Sequence, residues 1–382
     1  MRSNKYKQTD SVFLLPEGDL KRPNSPQVTL LCLLFFGLLT MGFINLYSAS
    51  VGASFFWTQL RNLVITFSAF LAFGWIIPIK RVSTYTYWFV GLICFLLVVV
   101  LFTGRVAGGA QRWISLGPLS FQPSEFAKLA VALSVARFFA SNRQDSPYRL
   151  RDLAPLVGII GVIFILIFAQ PDFGTAGVCG LIALCQLAFI RIDRRSILMV
   201  SLSVPVIGLL LWHILLLPYQ KLRILNLLNP DLDPQNTGYH ALQSLIAVGS
   251  GGLFGKGFMD GTQAHLRFLP ERHTDFIFSV FAEEHGFWGS VLVFVGFGLL
   301  TYIALDIAKH AKDTFSGLLA VGLGTLLFLE FAINIAMVMG IFPVVGIPLP
   351  FFSYGSSAML TVCVSLGLLI SINRTNSGAS KR

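Results

Sequence analysis

Charge is scarce in this chain. Of its 382 residues, 12% are Asp, Glu, Lys or Arg and 55% are hydrophobic. Soluble domains carry about 25% charged and roughly 45–50% apolar residues, so this composition argues against a water-soluble globule. Cysteine is scarce as well. Cys32, Cys94, Cys179, Cys185 and Cys363 all lie in apolar runs, and no two of them form a C-x-x-C pair. They read as small packing residues that say nothing of redox compartment. His240, His265, His273 and His285 cluster near one polar segment, yet their spacing fits no zinc pattern. A cleavable leader is not evident. The first 27 residues are polar and mixed in charge, and the apolar run that follows exceeds the roughly 7–15 residues of a leader's apolar core.

Long apolar runs are what the chain has in abundance. A membrane-spanning helix needs about 20 mostly apolar residues. Runs near 28–49, 58–79, 85–103, 124–141, 153–170, 174–191, 197–217, 276–308, 315–340 and 356–373 meet that need. The expected fold is all-α, a polytopic membrane protein of about ten transmembrane helices. One multi-span domain, 28–373, lies between cytoplasmic tails 1–27 and 374–382. A long extracytoplasmic loop, 218–275, separates helices 7 and 8.

The count is even, so both termini share a side. With the N-terminus inside, 19 of the 28 basic residues fall on inner segments and nine on outer ones. Excess Lys and Arg mark the cytoplasmic side, which puts N- and C-termini in the cytoplasm. Much of the +10 formal charge is then topology, and no nucleic-acid partner is implied. Three polar segments, 103–123, 218–275 and 340–355, fall outside. Pro343, Pro348 and Pro350 give the third the character of a re-entrant turn, tolerated only under cover of protein or a water-filled cavity.

The densest charge lies at Glu271, Arg272, His273 and Asp275, just before an apolar run. Ionisable groups at a membrane boundary are costly and call for a function. Asp275 has two readings. It or Thr274 caps the following helix, or it is a carboxylate general base that takes a proton from a sugar hydroxyl. Lys221, Arg223, Lys256, Arg267 and Arg272 share its loop. They face water and headgroups, or they clamp phosphates. Gly249 to Gly257 resembles a phosphate loop only superficially. Ser250 stands where a first glycine is required and Gly257 follows Lys256, so nucleotide binding is rejected in favour of a turn packed close to a helix or a lipid.

A second group comprises Gln111, Arg112 and Trp113 with Glu125 and Lys128. Pro123 opens a helix that has Glu125 in its first turn. Glu125 and Lys128, three apart, pair on one face, either as a structural ion pair or lining a polar cavity. Asp172, in the turn Gln170–Thr175, reads as a turn or cap residue.

These residues carry a resemblance. The motifs are Gly109–Trp113, Gln122–Glu125, Gln170–Gly174, Asn229–Pro230, Gly238–His240, Gly249–Gly252, Gly261–Gln263, Leu269–Phe276 and Phe351–Ser356. In that order and spacing the chain resembles the SEDS family (shape, elongation, division and sporulation) nearly end to end. Gly255–Gly257, Gly261–Gln263 and Arg272 are more similar to its rod-shape branch than to its division branch. The resemblance implies a peptidoglycan glycosyltransferase of the bacterial inner membrane, polymerising lipid II on the extracytoplasmic face. It implies a class B penicillin-binding transpeptidase and elongation-complex membrane proteins as partners. It maps the family's essential aspartate onto Asp275, and its cavity Glu and Lys onto Glu125 and Lys128. Arg112, Trp113, Lys221, Arg223, Arg267 and Arg272 are the candidate substrate contacts. A divalent cation, magnesium or manganese, is the one cofactor the chemistry leaves room for. A lipid II flippase, which also has many helices and intramembrane charge, and a scaffold that only recruits the transpeptidase are the rival readings.

Overall fold

The computed structural model describes residues 26–50, 54–107, 110–116, 119–228, 237–262 and 271–377. Of the two terminal tails, residues 1–25 and 378–382 lie outside the described residues. Among the described residues twelve helices follow in order. They are α1 (Pro26–Ser50), α2 (Ser54–Leu71), α3 (Ile79–Thr103), α4 (Pro123–Ser141), α5 (Ala154–Phe168), α6 (Phe173–Leu187) and α7 (Arg194–Leu210). They continue with α8 (Pro218–Leu228), α9 (Thr237–Ser250), α10 (Ile277–Lys309), α11 (Thr314–Val338) and α12 (Ser356–Asn376). One wide turn extends α2 through Ile76 and another extends α7 through Leu215. All ten expected spans are helical, and α8 and α9 are extra helices inside the long segment. Among the described residues seven helices are long and apolar enough to cross a membrane, and the expected spans at α5 and α6 are apolar but only 15 residues each.

α4 is expected as a span, yet it is not among those seven. Its composition is moderate because it is an interior helix. Nearly every residue from Pro123 to Phe139 is buried, and it packs against α3, α5, α6, α11 and α12. A helix wrapped by protein has no need of lipid-like side chains all round. α7 is the opposite case. None of the described part of its apolar window is buried, as expected of a helix bathed in lipid.

Local chemistry sets several helix starts. Asp172 caps α6 by accepting from Thr175 N at 3.5 Å. Asp313 caps α11 by accepting from Ser316 N and Oγ, both at 2.9 Å. α10 is broken at Gly286, which has φ 65° and ψ −159°. Only glycine takes such a conformation without strain. The Gly-rich turn fits into the break. Phe287 N donates to Gly252 O at 2.9 Å, and Lys256 N donates to Glu283 O at 3.0 Å. This is the packed turn the sequence suggests, with no phosphate loop.

The helix ends on one side carry most of the irregular chain. Here lie residues 104–122, the turn between α5 and α6, the long segment with α8 and α9, and residues 339–355. The sequence marks the first of these only as a polar outer segment. It forms a three-stranded antiparallel meander, β1 (Arg105–Ala107), β2 (Ala110–Leu116) and β3 (Leu119–Phe121). Strands this short leave no readable alternation. Residues 343–349 are free of helix and strand, as the prolines require.

Candidate active site

Asp275 stands two residues before α10. The capping alternative does not hold, because Phe276 occupies the cap position and no side chain bonds there. Thr274 Oγ1 turns instead to Glu271 O at 3.3 Å and Oε2 at 3.0 Å. The backbone around Asp275 is clamped on three sides. Asn334 Nδ2 donates to Asp275 O at 2.9 Å and to Ile347 O at 2.8 Å. Ser353 Oγ donates to Thr274 O at 2.7 Å, and Tyr354 N to His273 O at 2.8 Å. The re-entrant segment 341–355 thus holds Asp275 in place through main-chain bonds and leaves its carboxylate uncommitted.

That carboxylate is partly buried. Gly346, with φ 73°, lies over it, and a Cβ there would meet Asp275 Oδ2 at 3.5 Å. Burial raises the Asp275 pKa from 3.8 to about 6, and the Glu271 charge adds to the rise. Arg223 and Arg112 pull it back down, which places both guanidinium groups within electrostatic reach. At pH 7 the group is mostly ionised and close to its own pKa, the range that suits a general base.

Arg112 owes its position to an irregularity in the meander. Arg105 pairs with Trp113 and Val106 with Gln111, so Arg112 is the extra residue of a bulge. Bulges re-aim side chains. Arg112 Nε donates to Gln170 O at 3.1 Å, and its Nη2 donates to Pro171 O. Its Nη1 lies 3.6 Å from Asp172 Oδ1. Asp172 is therefore more than a cap: it also accepts from Ser124 Oγ at 3.1 Å. Trp113, half-buried, stays in the strand register.

Arg223 reaches the re-entrant segment from α8, with Nη1 donating to Val344 O at 3.1 Å. Lys221 is half-buried two residues earlier on the same helix. Positions two apart point to different sides, so the two do not form one clamp. Burial lowers the His273 pKa, against the Glu271 charge and with a smaller contribution from the adjoining Arg272. The His273 ring stacks on Phe55 with centroids 4.2 Å apart. Arg267 lies outside the described residues. Lys256 is engaged elsewhere, 2.6 Å from Glu283 Oε1 and 3.0 Å from Thr262 Oγ1.

Glu125 and Lys128 meet in the protein interior. Lys128 Nζ lies 2.9 Å from Glu125 Oε2 and also donates to Glu330 Oε1 of α11. The three side chains are 2%, 5% and 1% exposed. The pair is thus part of an enclosed triad. Sequence reasoning missed Glu330, whose signal was a lone carboxylate in the apolar run 315–340. Asn334 sits one turn further along α11, on the same face, so one helix positions both the triad and Asp275. Among the described residues no group of three or more His, Cys, Asp or Glu side chains comes together to hold a metal ion.

Comparisons with known proteins place this arrangement. Residues 28–378 match the FtsW/RodA/SpoVE family, described as "Cell cycle protein". Among curated relatives, the peptidoglycan glycosyltransferase MrdB of Escherichia coli is 43% identical over 295 residues, 76% of this chain and 78% of that protein. Stage V sporulation protein E of Bacillus subtilis is 34% identical over 365 residues, 92% of this chain and 98% of the relative. Among solved structures, a chain from a study of a peptidoglycan synthase complex that coordinates polymerization and crosslinking superposes with a TM-score of 0.77 at 29% identity. The match covers 91% of this chain and 97% of that one. The rod shape determining protein RodA of Thermus thermophilus superposes with a TM-score of 0.68 at 28% identity, covering 91% and 96%. The chain belongs to the FtsW/RodA/SpoVE family of multi-span membrane proteins.

Proposed function

We propose that this peptidoglycan glycosyltransferase polymerises lipid II, with Asp275 as the general base of an inverting transfer. Asp275 takes the proton from the acceptor's GlcNAc 4-hydroxyl. That oxygen forms a bond to C1 of the donor MurNAc. The bond from C1 to the pyrophosphate oxygen breaks, and undecaprenyl pyrophosphate leaves with the electron pair. One displacement without a covalent nucleophile inverts C1. A pyrophosphate leaving group needs little protein acid, but it needs cations for its growing charge. Arg112 and Arg223 supply them, joined by Arg272 and Lys221 along the substrate path. Trp113 lines that path. Glu125 and Lys128 act as a buried electrostatic support beneath it. A magnesium or manganese ion bound to the pyrophosphate would offset part of the charge that grows there.

One observation carries this reading: main-chain bonds fix Asp275 under Gly346 with its carboxylate left over, in the same segment that Arg223 reaches at Val344 O. A flippase needs charge deep in the span on a moving element, whereas Asp275 precedes its helix at the loop-rich face. That face is extracytoplasmic under the positive-inside rule, in a bacterial inner membrane, with both termini in the cytoplasm. A class B penicillin-binding transpeptidase and elongation-complex membrane proteins are the partners. The direct test is strand synthesis from lipid II already on the substrate side of proteoliposomes. Wild-type protein with its partner makes glycan strands, and Asp275→Asn inserts equally well and makes none. Strand synthesis by the variant at the wild-type rate would overturn the assignment.

A further inference from the structure

At the end of the bundle opposite Asp275, two loops are joined into a shelf. One loop runs from α4 to α5, the other from α6 to α7. Tyr148 and Ile192 pair as an isolated parallel bridge. Tyr148 N donates to Arg191 O at 3.0 Å, and Asp193 N donates to Tyr148 O at 2.9 Å. Leu150 N donates to Ser196 Oγ at 3.0 Å. Tyr148 anchors the shelf to the bundle. It is buried, its ring meets Phe139 edge-on at 4.8 Å, and its hydroxyl donates to Asn142 O at 2.5 Å.

The joined loops gather arginine. Residues 142–153 and 188–196 hold six arginines, three aspartates and no lysine. Arg149 and Arg151 flank Leu150, and Arg194 and Arg195 precede Ser196. The Leu150–Ser196 bond therefore draws the two pairs together across 46 positions of sequence. Consecutive Cα atoms are about 3.8 Å apart, so all four stand within one or two residue steps of that bond. All four are exposed. Arg143 turns away to Thr314 Oγ1 at 2.9 Å, and Asp152 accepts from Arg149 N at 2.8 Å. Among the described residues no ion pair involves the other five arginines. Arg194 and Arg195 also open α7. The helix dipole disfavours cations in a first turn, so this pair serves something other than the helix.

What adjoins the shelf indicates its occupant. Among the described residues α7 has no extensive packing against another helix. Ile197, Leu198 and Leu202 are exposed on α7, and Val157 and Ile165 on α5. These faces suit acyl chains, and a soluble acidic partner has no use for them. The arginine fork matches a phosphate bidentately, and basic clusters at the ends of membrane helices hold anionic headgroups. The positive-inside rule accounts for a surplus of charge. It does not account for arginine at all six positions, or for the bonds that bring four of them together.

We infer that this arginine shelf binds the phosphate headgroup of an anionic membrane phospholipid, whose acyl chains lie along α5 and α7. The site is remote from Asp275, and the inference does not depend on the glycosyltransferase reading.

The test uses the full chain in detergent micelles. It is titrated with phosphatidylglycerol or with phosphatidylcholine of identical acyl chains, and bound lipid is read by native mass spectrometry. Wild-type protein should bind the first phosphatidylglycerol about tenfold or more tighter than the first phosphatidylcholine, as expected of two arginines on one anionic headgroup. Arg149→Gln combined with Arg194→Gln should bring the two lipids within about twofold of each other. Lys309→Gln combined with Lys312→Gln removes the same charge from the same end of the bundle and should leave the preference intact. Inorganic phosphate at the concentration of the lipid should leave the bound lipid in place. Equal binding of the two lipids by the wild type would overturn the shelf. So would an equal loss of preference in the lysine variant, which would show general surface charge at work. Displacement by inorganic phosphate would overturn the lipid assignment in favour of a soluble anion.

Discussion

Replacing Asp275 by Asn should make the protein inactive and more stable. Folding lifts the carboxyl pKa from 3.8 to about 6, mainly by burial. A shift of about 2 units corresponds to about 3 kcal/mol at 1.36 kcal/mol per unit. The direction matters: the folded state resists the charged form, so the cost is absent below about pH 4. It grows as pH rises toward 6 and is complete above that. Asn is neutral throughout. The variant should therefore exceed wild type by up to about 3 kcal/mol at pH 8, an upper limit because Asp275 keeps some contact with solvent. The two should converge near pH 4. Denaturation in matched detergent micelles across that pH range, without substrate, reads the difference. A variant less stable than wild type at pH 8, or a gap independent of pH, would refute the reasoning.

Three further outcomes follow from the same geometry. Glu271→Gln removes a charge that raises the Asp275 pKa, and Arg223→Ala removes one that lowers it. The acid limb of the pH–rate profile should move down in the first and up in the second, and movement in the same direction in both would contradict the assignment. Lys128→Met leaves Glu125 and Glu330 facing each other without their cation. It should cost about 3–5 kcal/mol, measured by denaturation in detergent, and adding Glu330→Gln should recover part of the loss. Gly255→Ala places a methyl group against Glu284 O at φ +81°. It should lower the yield of folded protein by disturbing the break in α10, as seen by size-exclusion chromatography.

The membrane-spanning helices were legible because lipid imposes one rule on each of them: a run of apolar residues of fixed minimum length. α4 shows where that rule is weakest, since its neighbours are protein. The meander was not legible. β1 and β3 are three residues each, and the bulge at Arg112 breaks what alternation there is. Asp275 stood out as charge beside an apolar run, and Arg112 and Arg223 as cations in loops on the same face. Their convergence depends on segment 341–355 folding back over Asp275, which no local pattern encodes. Glu330 was missed because its two partners are about 200 positions away in sequence. Asn334 and Ser353 were missed for a related reason. They act on the main chain of Asp275 and Thr274, so their role lies in a contact and not in a motif.

The account's central claim is that Asp275 must be ionised to take the acceptor's proton. The initial rate of strand synthesis from lipid II, measured against pH with the Asp275→Asn protein as baseline, tests it most directly. The rate should climb with pH to a plateau, with its midpoint near 6, and the variant should stay at background throughout. A wild-type profile flat from pH 4 to 8, or a variant that tracks wild type, would contradict it.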